Sequence, residues 1–183
     1  APRVDQSVEL TFAVNEANTG RLVQDFEMVH ERPFHLFVVS EGLDFFLHEH
    51  PVLGRDRRFR FRTRFPKPGM YRLLCDFYPK GGSPQLLART VLIPGTQGMS
   101  LPPVPGSLSP DLSEKKGLNI TVELSMQPSI PIAGMKTLMF FRIKPADGLE
   151  KYLGSWSHLL AFSDDLVDGM HAHPFLADGG PQV

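Results

Sequence analysis

Arg58-Phe-Arg-Phe-Arg-Thr-Arg-Phe65, Pro66-Lys-Pro-Gly69, Met70-Tyr-Arg-Leu-Leu-Cys-Asp-Phe77, Pro79-Lys-Gly-Gly-Ser-Pro84 and Gln85-Leu-Leu-Ala-Arg-Thr-Val-Leu-Ile93 form an almost unbroken stretch. The first segment alternates aromatic and basic residues with the two-residue period of a strand. The two Pro/Gly segments carry turn chemistry, and each is followed by a run suited to a buried or half-buried strand. Three strands at such short spacing predict an antiparallel all-β fold. Working outward, Ser7-Val-Glu-Leu-Thr-Phe-Ala-Val14 alternates and Phe34-His-Leu-Phe-Val-Val39 reads as a strand buried on both faces. The 17 prolines and 16 glycines leave few windows in which a helix could propagate. The expected fold is a β-sandwich of the immunoglobulin or cupredoxin-like kind. Phe59, Phe61, Phe65, Tyr71, Leu73 and Phe77 are its candidate core.

The chain also repeats itself. His35-Leu-Phe-Val-Val-Ser-Glu-Gly-Leu-Asp-Phe-Phe-Leu-His-Glu-His-Pro51 returns 123 positions later as His158-Leu-Leu-Ala-Phe-Ser-Asp-Asp-Leu-Val-Asp-Gly-Met-His-Ala-His-Pro174. Upstream, Leu10 to Gly20 pairs with Leu138 to Gly148, and Glu27 with Glu150. Further strands are expected at Leu118–Leu124, Lys136–Lys144 and Ser157–Phe162. This organisation predicts two tandem sandwiches at 1–94 and 117–183, joined by a Pro/Gly/Ser-rich linker at 95–116. The second copy has no counterpart of the three strands between Phe59 and Ile93, so it is expected to be incomplete. Either the polypeptide continues past Val183, or a partner strand completes the sheet by edge pairing.

Six of the seven histidines lie in the two repeated blocks at identical internal spacing. Side chains at i and i+2 of a strand share a face, so His48 and His50 stand side by side, as do His171 and His173. Glu41-Gly-Leu-Asp44 suits a hairpin return that brings His35 opposite the first pair, and His158 is placed likewise in the second. Three neutral imidazoles with an open position make a transition-metal environment. His35, His48, His50, His158, His171 and His173 are therefore the candidate metal ligands, with copper first and zinc second. Glu27, Met28 and His30 stand upstream of the first triad, Glu150 and Met170 near the second, and Leu153 replaces His30. The competing reading is that the histidines are internal hydrogen-bond posts of a structural or accessory subunit, docked on a larger extracytoplasmic or membrane complex.

Catalysis is not expected. Glu49 should point to the opposite face from His48, and Ala172 stands in its place in the second copy. Ser40 and Ser163 lack the Gly-x-Ser-x-Gly elbow of a serine hydrolase. The single cysteine, Cys75, permits no intrachain disulfide and reads as a small buried side chain, and its lack of a counterpart argues against a blue-copper centre in the second copy. A net charge of -1 and a pI near 6.7 supply no pull toward nucleic acid. Arg58 to Arg64 read as the solvated face of a strand rather than an anion site. No apolar run approaches the roughly 20 residues of a membrane helix. The start Ala1-Pro-Arg fits a processed export signal or a chosen boundary.

The block His35 to Pro51, with Pro68-Gly-Met-Tyr-Arg-Leu73 and Asp76-Phe-Tyr-Pro-Lys-Gly-Gly82, resembles a family of secreted bacterial proteins. In that family such a β-sandwich often follows a small Cys-rich heavy-metal-binding domain. The resemblance covers nearly the whole chain. It implies a periplasmic or extracellular location and a role in copper or heavy-metal handling for the six histidines. The chain departs from the pattern in having no Cys-rich domain and a shortened second sandwich.

Overall fold

The structure, a computed structural model, describes residues 2–95 and 110–174. Every regular element among them is a strand: β1 (Val8–Phe12), β2 (Phe34–Ser40), β3 (Phe46–Glu49), β4 (Val52–Leu53), β5 (Phe59–Thr63), β6 (Gly69–Phe77), β7 (Gln85–Ile93), β8 (Lys115–Lys116), β9 (Thr121–Gln127), β10 (Leu138–Lys144), β11 (Leu159–Phe162) and β12 (Gly169–Ala172). They fall into two compact units, one built on β1 to β7 together with Phe162–Gly169, the other on β8 to β10 and the rest of the β11–β12 hairpin.

The first unit is a β-sandwich. A three-stranded sheet in the order β1-β5-β4 faces a four-stranded sheet in the order β3-β2-β6-β7, all pairs antiparallel. Alternation decides what fills the gap: Phe34, Leu36 and Val38 of β2, and Tyr71, Leu73, Cys75 and Phe77 of β6, point inward and meet Phe59 and Phe65. Phe34 stacks on Phe77 at 5.4 Å between ring centroids and lies 4.6 Å from Phe59. Each such ring withdrawn from water stabilises the fold by about 1.5–3 kcal/mol. Of the six expected core residues, five are buried and Phe61 packs half-buried against them. On the outer face of β5, Arg60 and Arg62 lie 3.8 and 3.7 Å from Glu9, and Arg60 also grips Asp56 at 2.5 Å. That is the solvated, charge-balanced face that the Arg-Phe alternation predicts.

β2 is buried on both faces, as its unbroken apolar run requires. The face turned away from the sandwich core carries His35, Phe37 and Val39 of β2 and, directly across from His35 and Val39, Asp76 and Arg72 of β6. This places the first histidine on a buried sheet surface outside the core.

In the second unit, β8, β9 and β10 form an antiparallel sheet with β9 central. β9 begins three residues later than the Leu118 expected from sequence. The amide of Gly117 donates to the Ile120 carbonyl at 2.8 Å, closing a turn over 117–120 that joins β8 to β9 and leaves Leu118 fully exposed. Lys115 and Lys116, expected to end the linker, form β8; residues 96–109 of that segment lie outside the described residues. β11 and β12 pair as a two-stranded hairpin. The expected break after Pro174 falls on 175–183, which also lie outside the described residues.

Candidate metal centre

Both histidine blocks fold as hairpins closed by the same device. In the first, the Ser40 amide donates to the Phe45 carbonyl at 3.1 Å and the Leu43 amide to the Ser40 carbonyl at 2.9 Å. The Ser40 hydroxyl donates to Asp44 at 2.8 Å and accepts from the Phe45 amide at 3.0 Å. In the second, the Ser163 amide donates to the Asp168 carbonyl at 2.9 Å and the Leu166 amide to the Ser163 carbonyl at 3.0 Å. The Ser163 hydroxyl donates to Asp165 at 2.6 Å and accepts from the Asp168 amide at 2.9 Å. Leu43 and Leu166 share a φ of 56°. The serines are turn posts, which accounts for their place in the repeat without any nucleophilic role.

The hairpin sets the register. Phe37 of β2 stands opposite His48 of β3, and Leu36 opposite Glu49. His48 therefore shares the outer face with His35, while Glu49 shares the other face with Leu36, as the strand period predicts. His35, His48 and His50 come together so that one ligand atom from each lies within 4.8 Å of the others, and His158, His171 and His173 do the same. All six predicted ligands are brought into two clusters. Among the described His, Cys, Asp and Glu residues, neither cluster includes His30, Glu27 or Glu150. Met28 and Met170 are 64% and 45% exposed. Cys75 faces the sandwich core opposite Leu36, away from the histidines, and burial pushes its thiol up to about 12.

The orientation of each first histidine is fixed by the backbone. Nε2 of His35 lies 3.0 Å from the Val29 carbonyl, and Nε2 of His158 lies 3.0 Å from the Tyr152 carbonyl. A carbonyl can only accept, so Nε2 carries the proton and Nδ1 presents its lone pair. Those lone pairs face the clusters: Nδ1 of His35 is 3.3 Å from Nε2 of His48, and Nδ1 of His158 is 3.3 Å from Nε2 of His171 and 3.0 Å from Nε2 of His173. Around a tetrahedral ion with metal–nitrogen distances of about 2.0–2.1 Å, neighbouring ligand nitrogens stand about 3.3–3.4 Å apart. The observed spacings are close to that edge length. In the second cluster Nε2 of His171 and Nε2 of His173 both approach Nδ1 of His158, so the three nitrogens face a common centre.

The sequence pattern did not disclose these carbonyls. Each belongs to a tight turn whose two central residues have positive φ, His30 and Glu31 at 47° and 64°, Leu153 and Gly154 at 50° and 78°. The turns are closed by reciprocal amide–carbonyl bonds between Val29 and Arg32 and between Tyr152 and Ser155. The available signal was their common place, six residues before the first histidine of each block. Sequence reasoning also missed Phe37, whose ring stacks on His48 at 4.4 Å and 27°.

The two triads can each hold a metal ion. No helix among the described residues is long and apolar enough to cross a membrane. Residues 1–93, ending with β7 and containing the first triad, match the model of a family described as a domain of unknown function, DUF8832. No curated protein and no solved structure matches the chain.

Proposed function

This chain belongs to the DUF8832 family, and we propose that it is an exported, non-enzymatic metal-binding protein that takes copper ahead of zinc at its two histidine triads. The observation that carries the reading is the convergence, in both repeats, of one imidazole nitrogen from each of three histidines, the first of which has its tautomer held by a backbone carbonyl. Nitrogen sites favour Cu(II) over Zn(II) in the general affinity order, which places copper first. A binding rather than hydrolytic role is supported by Glu49, which faces away from the first triad, and by Ala172 at the matching place in the second. The exported location rests on the resemblance to secreted metal-handling proteins.

Isothermal titration of metal-free protein with Cu(II) and with Zn(II) tests the reading. Two equivalents are expected, the copper isotherm the tighter. His48→Ala and His171→Ala should each abolish one, and an isotherm unchanged in the double variant sinks the proposal. Recovery of the native protein from the cytoplasmic fraction alone would remove its exported half.

A second reading is favoured by one observation. Leu138, Met139, Phe140 and Phe141 of β10 are consecutive and all exposed, at the end of their sheet. An accessory subunit whose β10 edge receives a partner strand would cover them. Capture of a defined partner by the intact chain, lost on Phe140→Lys while metal binding persists, would support that reading.

A further inference from the structure

The two triads share a donor set but not a setting. His35 is 2% exposed where its counterpart His158 is half-buried; His48 and His50 are half-buried like His171 and His173, but the Nε2 atom of His50 is shut off from solvent and Pro51 behind it is buried. Phe37, itself 1% exposed, lies flat against His48 at 4.4 Å. In the second cluster His158, His171 and His173 are all only half-buried, and Pro174 is exposed. The position corresponding to Phe37 is Leu160, which has no ring to lay over His171. Tyr152, whose ring centroid lies 5.8 Å from that of His158, is 55% exposed.

Metal leaves a three-histidine site by accepting an incoming donor at the open position while the protein ligands let go in turn. A hydrophobic cover slows both steps, because it excludes the donor and keeps the ligand rings from swinging outward. Resting on the metal-binding reading, we propose that the two centres divide the labour: the first retains its ion, and the second exchanges it with external donors such as small nitrogen or sulfur ligands. The open position at the second triad is where such a donor enters. Release needs no redox step. One coordinate bond to the donor forms before each imidazole bond breaks, and the freed imidazole nitrogens recover their lone pairs.

The test is a release experiment on the full chain loaded with Zn(II) and mixed with excess chromogenic chelator. Two phases of one equivalent each are expected, differing in rate by about 10- to 100-fold, the range over which outer-shell contacts alter metal affinity. His171→Ala should remove the fast phase alone, and His48→Ala the slow phase alone. Phe37→Leu, which copies the second site onto the first, should speed the slow phase without changing the stoichiometry. Leu160→Phe guards against a Phe37 variant that fails to fold, and should slow the fast phase. Two equivalents released in a single phase, or loss of the slow phase in His171→Ala, overturns the division of labour while leaving metal binding intact. A chain that takes up no metal overturns the metal reading itself, and this inference with it.

Discussion

At His35 the sheet buries an imidazole whose two nitrogens must both be satisfied from within the protein. Nε2 is satisfied by the Val29 carbonyl, which frees Nδ1 to face the cluster. Removing the buried ring takes one of two donors from the Val29 carbonyl, which keeps the Arg32 amide, and leaves a cavity in the sheet, so His35→Ala should lower the stability of the metal-free protein by about 1–3 kcal/mol. His48→Ala, at a half-buried position, should cost less, although both should lose one metal equivalent. Urea unfolding with and without metal separates the two effects. Cys75 supplies a second residue-scale expectation. Its thiol sits in the core with its pKa raised by burial to about 12, so the neutral form is favoured in the folded state. It should therefore resist a thiol reagent at neutral pH until the protein unfolds, and its contribution to stability should persist below the ordinary thiol pKa and fade as pH rises toward 12. Prompt labelling of native protein would contradict this. The clustering of the six histidines was legible at this scale because side-chain identity and spacing carry it. The Val29 and Tyr152 carbonyls were not, because every residue has one and only the chain path decides which is aimed at a histidine.

The elements that hold the triads are short hairpins and tight turns, and their backbones make distinct demands in the two repeats. Glu31 adopts a φ of 64°, where an L side chain is strained, whereas the second repeat has Gly154 at 78°. Glu31→Gly should thus stabilise the first turn and Gly154→Ala destabilise the second, each by about 1 kcal/mol, read as shifts in the urea midpoint. A size exchange distinguishes the hairpins as well. Val39 pairs with Phe46 in the first repeat, while Phe162 and Gly169 stand at the matching places in the second. A Cβ built on Gly169 would lie 2.7 Å from the Phe162 ring, so Gly169→Ala should cost about 1–3 kcal/mol. Phe162→Val should recover most of that loss in the double variant; additive losses would show that the pair is not coupled. Strands with clear alternation or bounding turns, such as β5, β6 and β7, were legible to within a residue or two of their ends. β4 and β8, two residues each, carry too little pattern to be read, and β9 was displaced because the turn at Gly117 consumed residues whose composition is strand-like.

For the molecule as a whole, the duplication is the fact from which most else follows, yet the two copies are unequally dressed. In the first unit the strands from Phe59 to Ile93 supply a second sheet and much of the core for β2. In the second unit β10 has a neighbour on one side only among the described residues, and its apolar residues meet solvent: Phe140 is 53% exposed, Phe141 44% and Leu138 42%. Sequence reasoning placed apolar exposure at Leu159 and Ala161, which are half-buried, and did not point to β10. An apolar edge of this kind is a template for strand pairing. Because Phe140 contributes little burial, Phe140→Lys should change the unfolding free energy by no more than about 0.5 kcal/mol. The same charge on an open edge should suppress association, since a second strand could pair there only by bringing an ammonium group out of water. Sedimentation velocity over a range of concentrations is expected to show self-association for the wild-type chain and a monomer for the variant. Equal behaviour of the two would mean that the β10 edge has no part in assembly, and a large drop in stability would mean that Phe140 is covered within the fold itself.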